Sequence, residues 1–148
     1  MLNQDFKEFI QLLNDETVAY LVVGAHAVAI YGYPRYTGDI DIWIEDTEVN
    51  SKKIMKVLNQ FGFGGAGLKE ADFLKKDAVI QLGYAPVRID IMNAISGVTF
   101  LNAFERKNTL NLEGLLMNFI SIDDLIINKE TTARDQDLLD VKKLKNKK

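Results

Sequence analysis

Cysteine is absent from the 148 residues of the chain, and histidine occurs once, as His26. Without thiols the protein can form neither a disulfide framework nor a thiolate metal site, and it has no cysteine nucleophile. A single histidine cannot build a histidine-rich metal site, and no nucleophile elbow accompanies it to suggest a Ser-His-Asp set. The lack of cysteine is also typical of proteins in a reducing compartment.

Long hydrophobic runs are also missing. The longest apolar stretch, residues 19–30, contains His26 and is too short to span a bilayer. The N-terminus lacks the basic segment and the apolar segment that together mark a secretory signal. These features predict a cytoplasmic protein with no membrane partner.

Net charge is small overall but uneven along the chain. The formal charge is −3, yet residues 142–148 contain five lysines and no acid, so that residues 1–141 hold 13 bases against 21 acids, a net of −8. Nucleic-acid backbones are usually bound by basic surfaces, which this acidic body does not offer. It can still handle a phosphorylated substrate if a divalent cation neutralises clustered acids. The basic tail, 142–148, is interpreted as the solvated end of a helix; nucleic-acid binding is the alternative.

Length and hydrophobic periodicity predict one α+β domain over residues 1–148, with a mixed β-sheet flanked by α-helices, rather than a doubly wound parallel sheet. The first 18 residues hold an N-terminal helix. Predicted helices cover residues 3–14, 25–30, 50–60, 100–106, 122–128 and 137–147. Predicted strands cover residues 20–23, 39–45, 79–82 and 87–91, with two more on either side of 113–114.

Three carboxylates stand out on the predicted strands. Asp39 and Asp41 are two residues apart, so their side chains leave the same face of a strand about 7 Å apart at the Cα level. Asp90 lies in a second strand with the same alternation of apolar and polar residues. If the two strands are neighbours, the three acids converge and repel one another unless a cation lies among them. Hard oxygen ligands of this kind suit Mg²⁺ or Mn²⁺.

Each of these features has a plainer interpretation. Asp39 and Asp41 could decorate the solvated face of an amphipathic strand, although the repetition at Asp90 favours the metal site. Gly24 could open a helix whose backbone N–H groups cradle an anion, or it could simply turn the chain from strand to helix. Trp43 shares a strand face with the two acids, where it could stack on a nucleobase or pack at a sheet edge.

Taken together, these motifs resemble the DNA polymerase β-like nucleotidyltransferase superfamily, in particular small bacterial stand-alone members related to minimal nucleotidyltransferases and AbiEii-type toxins. The resemblance rests on Gly24-Ala25, the connection Pro34-Arg35-Tyr36-Thr37, the Asp39-Ile40-Asp41 strand and Asp90. The C-terminal series Lys129, Ala133, Arg134, Asp137 and Asp140 is similar to the family's helical K…A-R…D…D segment. The likeness covers residues 20–144.

The resemblance implies a metal-dependent transfer of a nucleoside monophosphate from a nucleoside triphosphate to an acceptor hydroxyl, with release of pyrophosphate. Mg²⁺ or Mn²⁺ would be the cofactor. The acceptor could be a protein, an RNA or a small molecule, and a second copy or a partner protein could complete its pocket. By resemblance, the metal ligands and catalytic carboxylates are Asp39, Asp41 and Asp90, and the nucleotide-binding residues are Gly24, Ala25, Lys129, Arg35 and Arg134.

One position departs from the pattern of the superfamily. Many members have serine after the motif glycine, where its hydroxyl contacts a phosphate, whereas this chain has Ala25. The alternative is therefore a weak or inactive nucleotidyltransferase fold that acts as a binding module, such as one half of a toxin–antitoxin pair. The intact series Asp39, Asp41 and Asp90 counts against that alternative.

Overall fold

The computed structural model describes residues 2–32, 38–62, 67–84 and 87–148. This part of the chain contains six strands and six α-helices. The strands are β1 (Tyr20–Val23), β2 (Asp39–Ile44), β3 (Val79–Tyr84), β4 (Val87–Met92), β5 (Asn108–Leu112) and β6 (Leu115–Phe119). The helices are α1 (Gln4–Asp15), α2 (Gly24–Ile30), α3 (Glu48–Phe61), α4 (Phe100–Glu105), α5 (Ile122–Thr132) and α6 (Asp135–Lys147).

All six strands form one sheet in the order β3-β4-β2-β1-β6-β5. Strand β2 is antiparallel to β1 but parallel to β4, and β1 is parallel to β6. Two hairpins, β3–β4 and β5–β6, complete the two edges. The predicted α+β fold with a mixed sheet is confirmed. Within the described ranges, no helix is both long and apolar enough to cross a membrane.

One face of the sheet is covered by α1 and α3, which bury their apolar sides against it. In α1 the residues Phe6, Phe9, Ile10 and Leu13 recur at helical spacing and are all buried. Burying side chains of this size contributes about 1.5–3 kcal/mol each. On β2 the alternation is equally clear, because Ile40 and Ile42 are fully buried. The apolar half of β2 therefore anchors the strand and leaves its polar half on the opposite face.

The element bounds differ from the sequence predictions mainly at caps. Helix α3 begins at Glu48, two residues before the predicted start, because the Thr47 side chain accepts a hydrogen bond from the Asn50 N–H. Helix α5 begins at the predicted residue, Ile122, and is capped by Ser121, whose side chain accepts from the N–H of Asp124. A 3₁₀ turn at Glu70–Phe73 was not predicted, since a single short turn leaves no periodic pattern in the sequence.

Candidate active site

The carboxylates of β2 and β4 lie on one face because the two strands are hydrogen-bonded neighbours. In their parallel register Asp41 lies opposite Asp90, and Asp39 lies opposite Arg88. The structure therefore brings the three predicted acids together on the sheet surface. Sequence reasoning had required this adjacency without being able to demonstrate it.

A guanidinium group occupies the space among these acids. Arg88 Nε donates to Asp90 Oδ1 at 2.8 Å, and Arg88 Nη2 donates to Asp90 Oδ2 at 3.0 Å. The same Nη2 also donates to Asp39 Oδ2 at 3.0 Å. The hydrogen bond to Asp90 raises the pKa of Arg88, so the group stays charged. The alternation of β4 placed Arg88 on this face, but it did not identify its partners.

Asp41 is not part of this hydrogen-bonded pairing. Among the described residues, Arg88 donates no hydrogen bond to Asp41, although its charge acts on the carboxylate. The pKa of Asp41 is raised to about 6, chiefly by burial and then by the nearby carboxylates Asp90 and Asp39, while Arg88 and Lys129 oppose the rise. Because Asp41 is buried beside two other carboxylates, an added cation would be stabilised there more than at a carboxylate that is already paired.

Gly24 is required by its contact with Asp41. The residue has φ +70°, a left-handed conformation that favours glycine. A Cβ at this position would collide with Asp41 Oδ2 and would lie 3.0 Å from its Cγ. The turn between β1 and α2 thus packs directly against the central carboxylate, with Ala25 following in the first turn of α2. Gly24 therefore turns the chain from strand to helix and also makes room for Asp41. That its backbone N–H groups cradle an anion stays a prediction.

His26 connects α2 to the start of β2. Burial lowers the pKa of His26, and a hydrogen bond from its ring to the backbone carbonyl of Asp39 acts in the opposite direction. Its ring also packs edge-on against Phe6 at 5.5 Å between centroids. Sequence reasoning excluded His26 from a histidine-rich metal site and did not find this support of Asp39. Its place two residues after Gly24 was the available signal.

Lys129 is buried between two acids of α6. Its Nζ lies 3.3 Å from Asp137 Oδ1 and 3.0 Å from Asp140 Oδ2, and the whole residue is 7% exposed. Helix α5 packs against α2, and the charge of Lys129 is among those that lower the pKa of Asp41. The ammonium therefore acts on the carboxylate face while being held by its own two partners. That it meets a phosphate stays a prediction.

The two predicted arginines are placed differently. Arg134 donates from Nε to Asp137 Oδ2 at 2.7 Å, and this hydrogen bond is the main reason that the pKa of Asp137 lies well below its ordinary value. Arg134 is thus paired at the α5–α6 junction, with a largely exposed side chain, rather than with the three acids. Arg35 lies outside the described residues, as does most of the glycine-rich loop of residues 62–67.

Trp43 is a core residue. It is 1% exposed, and its ring meets Phe100 edge-to-face at 5.1 Å. The nucleobase-stacking interpretation is wrong for this structure, because the Trp43 ring itself is closed to solvent. The packing interpretation is right, although β2 lies inside the sheet rather than at its edge.

The three carboxylates have the chemistry that a hard divalent cation prefers, but they are not already arranged as a set of metal ligands. Asp39, Asp41 and Asp90 supply only carboxylate oxygens, which Mg²⁺ and Mn²⁺ prefer. Within the described ranges, however, no three acidic or histidine side chains are already arranged around a single point as metal ligands. Arg88 instead lies among these carboxylates and pairs with two of them, Asp39 and Asp90.

The fold is that of a nucleotidyltransferase. A candidate nucleotidyltransferase from Thermotoga maritima (TM1012) superimposes with a TM-score of 0.62 at 16% identity, covering 97% of this chain and 91% of that one. The lincosamide antibiotic adenylyltransferase LnuA, in a lincomycin-bound crystal structure, gives 0.61 at 15% identity, covering 100% and 99%. No protein with a curated description matches the chain.

Residues 1–145 match the family model described as "nucleotidyltransferase of unknown function (DUF6036)". The chain belongs to this family. The resemblance to a small nucleotidyltransferase is therefore confirmed, and membership of a nucleotidyltransferase family supports an enzyme of the transferase class.

Proposed function

We propose that this protein transfers a nucleoside monophosphate from a nucleoside triphosphate to an acceptor hydroxyl, using Mg²⁺ or Mn²⁺, at the face formed by Asp39, Asp41 and Asp90. The observation that carries the proposal is the register of β2 and β4, which sets Asp41 opposite Asp90. In the transfer a bond forms between the acceptor oxygen and the α-phosphorus. The bond from that phosphorus to the bridging oxygen breaks, and pyrophosphate leaves.

The three carboxylates have distinct parts in this proposal. When bound, the divalent ions would neutralise the triphosphate and stabilise the charge on the departing pyrophosphate. Asp39 and Asp41 would hold them. Asp90 would share one ion and accept the proton of the acceptor hydroxyl. Its bidentate pairing with Arg88 keeps its carboxyl group oriented toward this face.

Around the acids, other groups would position the nucleotide. The turn at Gly24 and Ala25 lies against Asp41, so its backbone is well placed to approach the triphosphate. Ala25 offers no hydroxyl there, which leaves the holding to backbone groups. Lys129 would add positive charge behind the site, and we retain it, with Arg134 and Arg35, among the nucleotide-binding residues to be tested.

Acceptor identity is a separate part of the proposal. The structural neighbour LnuA is named as a lincosamide antibiotic adenylyltransferase. This favours testing the small-molecule acceptor beside protein and RNA. A second copy of the chain or a partner protein could supply the rest of the acceptor pocket. We place the reaction in the cytoplasm, where nucleoside triphosphates are available.

A second candidate function is a binding module with little turnover, for example one half of a toxin–antitoxin pair. Two observations favour it: the alanine at position 25, and the pairing of Arg88 with Asp39 and Asp90. Co-purification of a small partner protein, combined with absence of transfer, would support this candidate.

The test is incubation of the purified protein with each of the four labelled triphosphates, Mg²⁺ or Mn²⁺, and separate protein, RNA and lincosamide acceptors. Asp41→Asn should abolish labelling, whereas Asp46→Asn, at an exposed acid outside the site, should not. Absence of labelling with every triphosphate, together with no thermal shift on adding metal and nucleotide, would overturn the proposed enzyme.

A further inference from the structure

Arg88 lies among the carboxylates that would hold a metal ion in the proposed function. Both oxygens of Asp90 accept hydrogen bonds from it, at 2.8 and 3.0 Å, and Oδ2 of Asp39 accepts a third at 3.0 Å. A planar guanidinium matches carboxylates in this bidentate way, and such charge-assisted pairs are stronger than neutral hydrogen bonds. The pairing is also partly shielded, since the Arg88 side chain is 30% exposed and that of Asp90 is 10% exposed.

This arrangement has a consequence for any cation that approaches the face. An ion bound by Asp39 or Asp90 must draw oxygens away from Arg88 or share them with it, and it must also approach a fixed positive charge. Asp41 is the carboxylate to which Arg88 donates no hydrogen bond within the described ranges. A divalent ion arriving alone would therefore find one carboxylate without that competition and two that are engaged.

A nucleoside triphosphate changes that balance. Its phosphate oxygens add ligands to the ion and bring negative charge that offsets the repulsion from the guanidinium. We propose that Arg88 is a positioning residue that makes divalent-ion binding depend on the nucleotide, because it holds Asp39 and Asp90 in the place of an ion until the metal–triphosphate complex arrives. This inference rests on the proposed function and assigns to Arg88 a role that the three acids alone do not explain.

The experiment measures Mn²⁺ binding by isothermal titration and by the loss of the free-ion paramagnetic resonance signal, with and without a non-hydrolysable triphosphate. The proteins are wild type, Arg88→Met and Arg88→Lys, with Lys75→Met as a control for the loss of a cation outside the site. Lys75 is exposed and pairs with Asp72. Circular dichroism and thermal melting establish that each variant is folded.

Without nucleotide, Arg88→Met should bind Mn²⁺ on the order of tenfold more tightly than wild type, because a competing charge is gone. Arg88→Lys keeps the charge but loses the bidentate fork, so it should fall between the two. Addition of the nucleotide should tighten Mn²⁺ binding strongly in wild type and much less in Arg88→Met. Lys75→Met should behave as wild type in both conditions.

Two failures can be told apart. If Arg88→Met and Arg88→Lys bind Mn²⁺ no more tightly than wild type, while wild type binds the metal–nucleotide complex, the role of Arg88 is wrong and the proposed function stands. If wild type binds no Mn²⁺ even with nucleotide, the proposed function fails and this role fails with it. If Arg88→Met is unfolded, the comparison of Arg88→Lys with wild type decides the matter by the same criteria.

Discussion

Two groups of acids, each with a cation, differ in how completely the acids are satisfied. At the α5–α6 junction, Lys129 lies between Asp137 and Asp140, and both acids are almost fully buried. Asp137 also accepts from Thr132 and Arg134, and Asp140 accepts from Gln136. We call this group the buried junction.

On the sheet, Arg88 pairs with Asp39 and Asp90 at partly exposed positions, and the pKa of Asp41 is raised to about 6 by burial and by its acidic neighbours. We call this group the carboxylate face. The buried junction is closed and internally paired, which is typical of a structural network. The carboxylate face combines a partly exposed ion pair with a carboxylate whose pKa is raised, which is typical of a site that takes a ligand.

The largest expected effect is a loss of activity without a loss of stability, at Asp41 of the carboxylate face. Asp41→Asn removes a ligand of the proposed metal site, so transfer should fall by about a hundredfold or more. It also removes like-charge repulsion, so the protein should unfold at the same temperature or a higher one. Label transfer and thermal melting measure the two effects. Wild-type transfer by this variant would contradict the proposed function.

At the buried junction the effect should be on stability. Lys129→Met leaves Asp137 and Asp140 buried without their shared cation, which should lower the free energy of unfolding by about 3–5 kcal/mol. Lys145→Met is the matched control, because Lys145 pairs with Glu130 at an exposed position, and its loss should cost no more than about 1 kcal/mol. Urea unfolding measures both. Equal effects would show that the junction is not a structural network.

A smaller loss of stability is expected when Gly24, whose backbone lies against Asp41, is substituted. Gly24→Ala should destabilise the protein by about 2–3 kcal/mol, through strain at positive φ and through the clash with Asp41. Gly114 also has a positive φ, but open space surrounds the point where a Cβ would lie, so Gly114→Ala should lower the free energy of unfolding by about 1 kcal/mol. The difference between the two isolates the clash. If the two variants unfold alike, Asp41 does not press against this turn.

The pH dependence of stability should have opposite signs in the two groups. The folded pKa of Asp41 lies above its unfolded value, so its contribution is present below pH 4 and is lost as the pH rises through about 6. Between pH 5 and 7 the free energy of unfolding of wild type should fall by about 1 kcal/mol relative to that of Asp41→Asn. Solvent screening keeps this loss small. Urea unfolding across this range measures the difference.

The folded pKa of Asp137 lies below its unfolded value. Its contribution is therefore present above about pH 4 and is lost as the pH falls further. Asp137→Asn should accordingly lose less stability than wild type between pH 4 and 2. If the stability of wild type and that of Asp41→Asn change equally between pH 5 and 7, the raised pKa of Asp41 is contradicted. Equal changes in wild type and Asp137→Asn between pH 4 and 2 would contradict the lowered pKa of Asp137.

The sequence alone was enough to predict the strand faces. Alternation of apolar and polar residues on β2 and β4 placed Asp39, Asp41 and Asp90 on polar faces, because side chains on a strand point alternately to its two sides. Periodicity does not report which strands are neighbours, so the convergence of the acids depended on the resemblance. The structure supplied it through the parallel pairing of β2 and β4.

Charge pairing was much harder to predict from sequence. Arg88 is two residues from Asp90, a spacing that indicates a shared strand face but does not indicate a bidentate contact. Its contact with Asp39 joins residues 49 positions apart in the chain, which no local pattern predicts. Lys129 sits on a helix with modest amphipathicity, where burial of an ammonium has no periodic signal. Its enclosure depends on how α6 folds back on α5, which is a tertiary property.

The most direct test of the carboxylate face is a crystal structure of the protein with Mn²⁺ and a non-hydrolysable triphosphate, in which anomalous scattering locates the metal. The account predicts an anomalous peak bound by Asp39 and Asp41 beside Asp90, with the triphosphate near the Gly24 turn. Mn²⁺ and nucleotide bound away from these three acids would contradict it.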